Sequence, residues 1–412
     1  MDFQYHYTEE QERFRGEVVA WLDSNVPPEL GQQGEMAALD PDHWATSKAL
    51  RRKLGVKGWL APTEPEEWGG GGLTPDHALV LVEELAKRDL RWLLDGGISA
   101  LRNALYHGGT EEQKRAYLSA MARGEIALWY PALEPGAQLD AGDLGVEAFL
   151  EGDDFILTGR DTFAGYDPWP DYLWVLALTD PDGPPERSTA TFLVPSGLGG
   201  IGIHNPDALV PGDVHTVTFQ EVAVPSSCLI GEEGEGWPLL QSTLLNVTLP
   251  EYPLHKDRDV ADLIRYACEN SRYGEALSRQ PLFQQLLMEV YINSQLLRIF
   301  KIRNTWMATT GQKITYHPAQ VALLEKRSAQ RLAQVTRDIM GIYALLDARD
   351  ARVPLGGRPQ FLQRRSITRQ NPTGGLEVQA GEIARHLGLG MPANRSGTGA
   401  AEDRTADAPV GR

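Results

Sequence analysis

The residues that could carry chemistry are few and widely spaced. The nine histidines show no metal-ligand spacing such as H-x-x-x-H, and the two cysteines, Cys228 and Cys268, form no C-x-x-C motif. The glycine run Gly69–Gly72 is not followed by Lys and then Ser or Thr, so it indicates a turn and not a phosphate-binding P-loop. We therefore expect neither a metal site nor a disulfide framework.

A basic cluster lies in the C-terminal part of the chain and consists of Arg364, Arg365 and Arg369. Guanidinium groups that converge can bind phosphate oxygens even in an acidic protein. The other interpretation is a basic patch at a helix end or at a subunit interface. The sequence leaves both open.

The charge balance excludes some classes of partner. Lysine and arginine number 39, and aspartate and glutamate number 56, which gives a formal net charge of −17. Nucleic acid and anionic membranes both require a basic face, so we expect neither as a partner. The N-terminal residues show no signal-peptide pattern, and no run of about 18 apolar residues suggests a membrane span. With only two cysteines, we expect a reducing, cytoplasmic location.

Capping signals predict helices in the first part of the chain. Thr8 and Thr110 are each followed three residues later by Gln, which is the pattern of a capping box. Thr74-Pro75 begins another helix, because proline at the first helical position has no N–H to lose. Short apolar strands separated by Gly, Pro and Asp follow from about residue 126, and helical spacing returns after Gly236.

The order of helices, strands and helices predicts an α+β protein with more than one domain, because 412 residues are too many for one simple core. We predict an N-terminal helical domain at 1–125, a middle β domain at 126–235, a C-terminal helical domain at 236–392 and a disordered tail at 393–412.

Several segments, taken in their order along the chain, resemble motifs of the acyl-CoA dehydrogenase family over roughly residues 1–392. They are Leu54–Trp59 with Glu67–Gly70, Gly108–Lys114, Leu133–Asp140, Val222–Pro225 and Gly231–Trp237. Each segment alone is weak, but their order and spacing together are specific for the fold. The resemblance implies an N-terminal helical domain, a small middle β-barrel or sandwich and a C-terminal four-helix bundle.

Family members are usually FAD flavoproteins that dehydrogenate an acyl-CoA thioester between its α and β carbons. A glutamate removes the α-proton, and hydride leaves the β-carbon for the flavin. The resemblance therefore implies FAD as the cofactor, either on this chain or shared with a partner subunit. It also implies an acyl-CoA or acyl-carrier-protein thioester as the substrate.

The positions that contact the flavin in the family carry unusual residues here. Leu133 stands where a Ser or Thr donates a hydroxyl to the flavin ring, so that contact is lost. Phe163 stands at the position of a Trp that packs on the flavin, and it either covers a flavin face or belongs to the core. Ala164 and Gly165 stand at the hydroxyl-bearing positions.

Neither of the family's base positions holds a carboxylate, because the resemblance places Val247 and Thr373 there. Glu251 and Glu377 are the replacement candidates. The alternatives are a solvated loop carboxylate for Glu251 and an ordinary acid at a helix N-terminus for Glu377.

On the substrate side, Gln138 and Leu139 replace a Gly-Ser pair of the family. Arg365 and Arg369, with Arg364 before them, are the candidates for binding the phosphates of CoA.

Two further segments are expected from the resemblance to reach a flavin across a dimer interface. In the first, Arg272 is kept but shifted along the segment. In the second, Gly341 is kept, Asp338 replaces a Gln, and Ile342 and Ala344 replace glycines. An acid repels phosphates and a side chain crowds a backbone that must approach them, so both changes weaken a pyrophosphate site.

Three hypotheses fit this pattern. The leading one is a subunit of a heteromeric FAD-dependent dehydrogenase, like those of actinobacterial steroid side-chain enzymes, whose partner holds the base and most flavin contacts. The second is a stand-alone enzyme with a displaced base or with different thioester chemistry. The third is a non-catalytic scaffold or binding protein of the same fold.

Overall fold

The structure is a computed structural model, and it describes residues 7–31, 41–88, 90, 93–94, 96–132, 144–165, 169–184, 187–204, 209–210, 214–244, 258–347, 349–368 and 376–389. Several predictions lie outside the described residues: those for Leu133, Gln138, Val247, Glu251, Arg369, Thr373 and the tail at 393–412.

The N-terminal part is helical. Its helices are α1 (Glu9–Asn25), α2 (Pro41–Val56), α3 (Pro75–Lys87), α4 (Gly96–Gly108) and α5 (Glu111–Ala122). The predicted capping boxes are present, with Thr8 at the start of α1 and Thr110 at the start of α5. Leu22, Leu54 and Leu81 belong to one buried apolar cluster, which joins α1, α2 and α3.

A mixed β-sheet follows. Its strands are β1 (Leu128–Pro131), β2 (Val146–Glu151), β3 (Asp154–Ala164), β4 (Tyr172–Leu178), β5 (Thr189–Pro195), β6 (Ile201–His204), β7 (His215–Pro225) and β8 (Leu229–Ile230). Their order is β6-β7-β3-β1-β4-β5-β8, and β2 pairs with β3 and β4. β1 and β4 are parallel, whereas β1–β3 and β3–β7 are antiparallel.

Both faces of the central strand β4 are buried. Leu173 and Val175 lie in the core that the sheet encloses, whereas Trp174 and Leu176 pack in a second cluster with residues of α4 and α5. Burial on both faces explains why β4 is an uninterrupted apolar segment instead of an alternating one.

The C-terminal part is again helical. It contains α6 (Gly236–Leu244), α7 (Arg258–Glu269), α8 (Pro281–Thr309), α9 (His317–Met340), α10 (Arg358–Thr368) and α11 (Leu376–His386), with a hairpin of β9 (Ser271–Arg272) and β10 (Glu275–Ala276). Leu263, Leu287 and Ile339 share the apolar core of α7, α8 and α9.

The predicted α+β fold class is confirmed, because helices are followed by a β-sheet and then by helices. The domain limits at 125/126 and 235/236 stay predictions. None of the helices in the described ranges is both long and apolar enough to cross a membrane.

Candidate functional site

Among the positions that the resemblance links to a flavin ring, Phe163, Ala164 and Gly165 are described by the structure, and they lie where β1, β3 and β7 run side by side. Pro131 is opposite Phe163 in the β1–β3 pair, and Phe163 is opposite His215 in the β3–β7 pair. Residues opposite one another point to the same face of a sheet, as do residues two apart in one strand. Trp129, Phe163 and His215 therefore share a face.

The rings of Trp129 and His215 are stacked. Their centroids are 3.7 Å apart and their planes are 7° from parallel. The exposed fractions are 0% for Trp129 and 4% for His215, so neither ring faces solvent. Burial lowers the pKa of His215, against a smaller opposing effect of its hydrogen bond with the Gly165 backbone. We call this pair the Trp129–His215 stack.

The indole of Trp129 fills the side-chain space of Gly165. A Cβ built on Gly165 would lie 2.0 Å from Cδ1 of Trp129, whereas ordinary contacts begin at 3.4 Å. Gly165 is one of the positions at which the resemblance leads us to expect a hydroxyl group. No side chain fits there while Trp129 keeps its place.

Phe163 lies in the core enclosed by the sheet. Its exposed fraction is 0%, and its ring centroid is 6.3 Å from that of Phe219. In this structure the ring has no surface open to a ligand. A role of Phe163 in covering a flavin stays a prediction.

These residues do not fit a flavin ring at this place. The side chain of Ala164 has no hydrogen-bonding group, and Gly165 has neither a side chain nor room for one. The space into which a side chain of residue 165 would project is occupied by the indole of Trp129, and the imidazole of His215 stacks on that indole. The remaining expected ring contact, Leu133, lies outside the described residues and has no polar side-chain group.

Asp161 is a carboxyl group near this place that the sequence interpretation missed. It lies two residues before Phe163 in β3, on the same face of the strand. Its Oδ1 accepts a hydrogen bond from the N–H of Thr162 at 2.6 Å. Burial raises the pKa of Asp161, and the hydrogen bond only partly opposes this effect. The only sequence signal is its place two residues before Phe163, in the segment that the resemblance links to the flavin.

The structure brings together Arg272 and Gly341, which the sequence linked to a flavin across an interface. Nη2 of Arg272 donates a hydrogen bond to the carbonyl oxygen of Ile339 at 3.0 Å, and it lies 3.5 Å from where a Cβ of Gly341 would be. The guanidinium also lies over the ring of Phe283, at 5.4 Å from its centroid. Arg272 thus caps the C-terminus of α9, where a cation is favourable.

The arginines of α10 are partly engaged in contacts of their own. Nη1 of Arg364 donates to the carbonyl oxygen of Leu209 at 2.7 Å, which links α10 to the segment after β6. The guanidinium of Arg365 lies over the ring of Phe361, at 5.6 Å from its centroid. Glu377 belongs to the first turn of α11. Their roles toward a substrate stay predictions.

Helix α8 exposes apolar residues and buries polar ones. Its exposed apolar side chains, which we call the α8 apolar face, are Met288, Tyr291, Ile292, Leu296, Ile299 and Trp306. On other sides of the helix Lys301 is 1% exposed and Thr305 is 7% exposed. Lys301 pairs with Glu325 of α9 at 3.3 Å, so part of the α8–α9 contact is polar.

Other features of the described residues add no second site. A small polar cavity of about 80 Å³ is lined by Lys48, Arg51, Arg52, Gly124, Glu125, Ile126, Ala127 and Asp171, none of which the sequence had linked to function. Within the described ranges, no group of His, Cys, Asp or Glu is placed to hold a metal ion.

Known proteins resemble this chain over most of its length. The acyl-CoA dehydrogenase N-terminal domain model matches residues 8–125. Acyl-CoA dehydrogenase FadE26 of Mycobacterium tuberculosis is 23% identical over 403 residues, which cover 94% of this chain and 99% of that protein. A solved structure described as Tcur3481-Tcur3483 steroid ACAD has a TM-score of 0.79 at 24% identity, covering 95% of this chain and 100% of that chain. The ChsE4-ChsE5 complex of Mycobacterium tuberculosis has a TM-score of 0.78 at 22% identity, with the same coverage of both chains. At these identities the solved structures show a shared fold.

Proposed function

This chain is a divergent member of the acyl-CoA dehydrogenase family, and on that premise we propose that it is one subunit of a two-chain acyl-CoA dehydrogenase. The assembly carries out the α,β-dehydrogenation of an acyl-CoA thioester. A related partner chain supplies the catalytic base and the flavin-ring contacts, and this chain supplies the interface that completes the assembly.

The residues at the family's base positions support a base on another chain. Val247 and Thr373 cannot accept a proton from carbon at neutral pH. An α C–H is a weak acid, so its removal requires a positioned base of suitable pKa. In a two-chain assembly the partner's carboxylate meets that requirement, and neither Glu251 nor Glu377 of this chain is needed.

The α8 apolar face is the observation that carries the proposal. Ile292, Ile299 and Trp306 are spaced seven residues apart, and they are 54%, 47% and 52% exposed. A seven-residue apolar repeat is the pattern of a helix that packs against another helix. Covering a half-exposed side chain of this size contributes about 1 kcal/mol, so a whole face of them is a substantial driving force for association. An isolated chain leaves that surface in water.

A second exposed surface surrounds Arg272 and Gly341. Tyr273 is 99% exposed, Ile342 is 75% exposed and Leu345 is 56% exposed. The resemblance predicts that these segments reach across a subunit interface, and their apolar exposed side chains suit contact with protein. They support a partner that touches this end of α9 as well as α8.

Two of the structural neighbours are described by the names of two chains, ChsE4-ChsE5 and Tcur3481-Tcur3483, and the latter as a steroid ACAD. We extend both features to this chain as part of the proposal. The partner is a dehydrogenase-like chain that keeps the base and flavin motifs. The acyl group to test first is a steroid-derived one, carried on CoA.

The test is co-expression with the acyl-CoA-dehydrogenase-like chain encoded nearest to it. We expect a mixed complex by light scattering and flavin absorbance only in that complex. The double substitution Ile292→Glu and Ile299→Glu should abolish the complex, because it places two charges in the α8 apolar face. Val56→Glu, at a valine that is 83% exposed at the end of α2, is the control and should leave the complex intact. Stoichiometric flavin on the separate chain, with turnover, would contradict the proposal.

A further inference from the structure

We infer that the Trp129–His215 stack closes the flavin-ring position of this chain, so that flavin in the assembly lies only against the partner's β domain. This inference rests on the proposed function and adds which residues exclude the ring and how. It concerns Trp129, His215 and Gly165, of which only Gly165 is a position that the resemblance links to the flavin.

The exclusion is steric and follows from one missing side chain. Gly165 is buried, and the direction in which its side chain would project is occupied by the indole of Trp129. At 2.0 Å, a Cβ of residue 165 and Cδ1 of Trp129 cannot coexist. A hydroxyl-bearing side chain at 165, pointing to a flavin, and an indole at 129 are therefore alternatives. This chain has the indole.

The indole is held in place from two sides. His215 stacks on it at 3.7 Å, and His215 is itself hydrogen-bonded to the backbone of Gly165. The two rings and the glycine thus form a closed unit across β1, β3 and β7. Because Trp129 and His215 are both buried, moving the indole aside would leave an empty space in a close-packed core. Trp129 is accordingly a fixed core residue and not a mobile lid.

The chemistry of this unit is also wrong for a flavin. The hydroxyl groups expected at 164 and 165 are absent, and burial keeps His215 neutral at neutral pH by lowering its pKa. A neutral ring already committed to Gly165 brings no positive charge to the space. A bound flavin ring would find no side-chain hydroxyl at 164 or 165 to replace its hydrogen bonds with water.

The test uses the separate full-length chain with two probes, riboflavin for the ring alone and FAD for the whole cofactor. Binding is followed by flavin fluorescence and by absorbance retained after gel filtration. We expect the wild-type chain to bind neither probe detectably. Trp129→Ala should bind riboflavin at least tenfold more tightly than the upper limit measured for the wild-type chain. Trp174→Ala is the matched control, since it removes another fully buried indole of the same sheet, on the face that packs in the cluster with α4 and α5. It should bind no better than wild type.

Two outcomes would overturn the inference. One is flavin binding by the wild-type chain with the ring absorbance shifted from that of free flavin. The other is a folded Trp129→Ala that binds riboflavin no better than Trp174→Ala. If Trp129→Ala does not fold, Trp129→Leu is measured in the same way and judged by the same criterion. Complex formation with the partner is measured separately, so a lack of complex contradicts the proposed function and leaves the closed ring position standing.

Discussion

The rings of Trp129 in β1 and His215 in β7 stack with their centroids 3.7 Å apart. The indole occupies the side-chain space of Gly165, the residue that directly follows β3. The three residues come from segments far apart in the sequence, and sheet pairing alone brings them together. Because the contact uses the side-chain space of residue 165, the size of that residue decides whether the stack can form.

Gly165→Ala should destabilise the protein. Its Cβ would lie 2.0 Å from Trp129 Cδ1, so the indole or a strand must move. Overpacking of this kind lowers the free energy of unfolding by about 1–3 kcal/mol. Urea unfolding measures it. Gly197→Ala is the control, because a Cβ there meets nothing within 4 Å. In a Trp129→Ala background the cost of Gly165→Ala should largely vanish, and equal costs in both backgrounds would contradict the geometry.

Local sequence signals predicted the order of helices and strands. They did not predict which side chains meet at the candidate site. The capping boxes at Thr8 and Thr110 act within one helical turn, so sequence suffices to place them. The Trp129–His215 stack depends on register between strands, which no local pattern specifies. A glycine at 165 shows that a side chain is missing, but it does not show which neighbour takes the space.

The α8 helix illustrates the same limit. The helical spacing after Gly236 predicts that apolar residues share a helix face, and Leu287 and Val290 are buried. The further apolar residues Ile292 and Ile299 are about half exposed, because no other element of the described chain covers them. Helical spacing reports which residues share a face, and it does not report whether that face packs within the chain or against another one.

His215 should make the stability of the chain depend on pH. Burial lowers its pKa below the ordinary 6.5, so near that pH the folded protein binds fewer protons than the unfolded one. The stabilisation is complete above pH 6.5 and is lost as the pH falls below it. Thermal unfolding between pH 7.5 and 5 should show this loss. His215→Phe keeps a ring on Trp129 and should flatten the profile, while the control His107→Gln, at an exposed residue of α4, should not. An unchanged profile in His215→Phe would argue against the neutral buried ring.

Asp161 should have the opposite pH dependence. Burial raises the pKa of this carboxyl group above the ordinary 3.8, so the folded protein holds its proton more tightly than the unfolded one. Stability from this group is present at low pH and is lost as the pH rises through the folded-state pKa. Asp161→Asn should therefore stabilise the protein at pH 7 and have little effect near pH 3, since the amide oxygen can still accept from the Thr162 N–H. Asp182→Asn, at an exposed turn residue, should be neutral at both pH values.

Arg272 should act mainly as a structural cap at the C-terminus of α9. Its guanidinium binds the Ile339 carbonyl oxygen at 3.0 Å and lies over Phe283, and both contacts hold the β9–β10 hairpin against α8 and α9. Arg272→Met keeps the aliphatic stem and removes the charge, so we expect a loss of about 1–2 kcal/mol in the free energy of unfolding of the separate chain. Arg279→Met, at an exposed arginine of the next turn, should change it by less than about 0.5 kcal/mol. If instead Arg272→Met leaves the separate chain as stable as wild type but weakens the mixed complex, the guanidinium serves the interface and the cap contributes little.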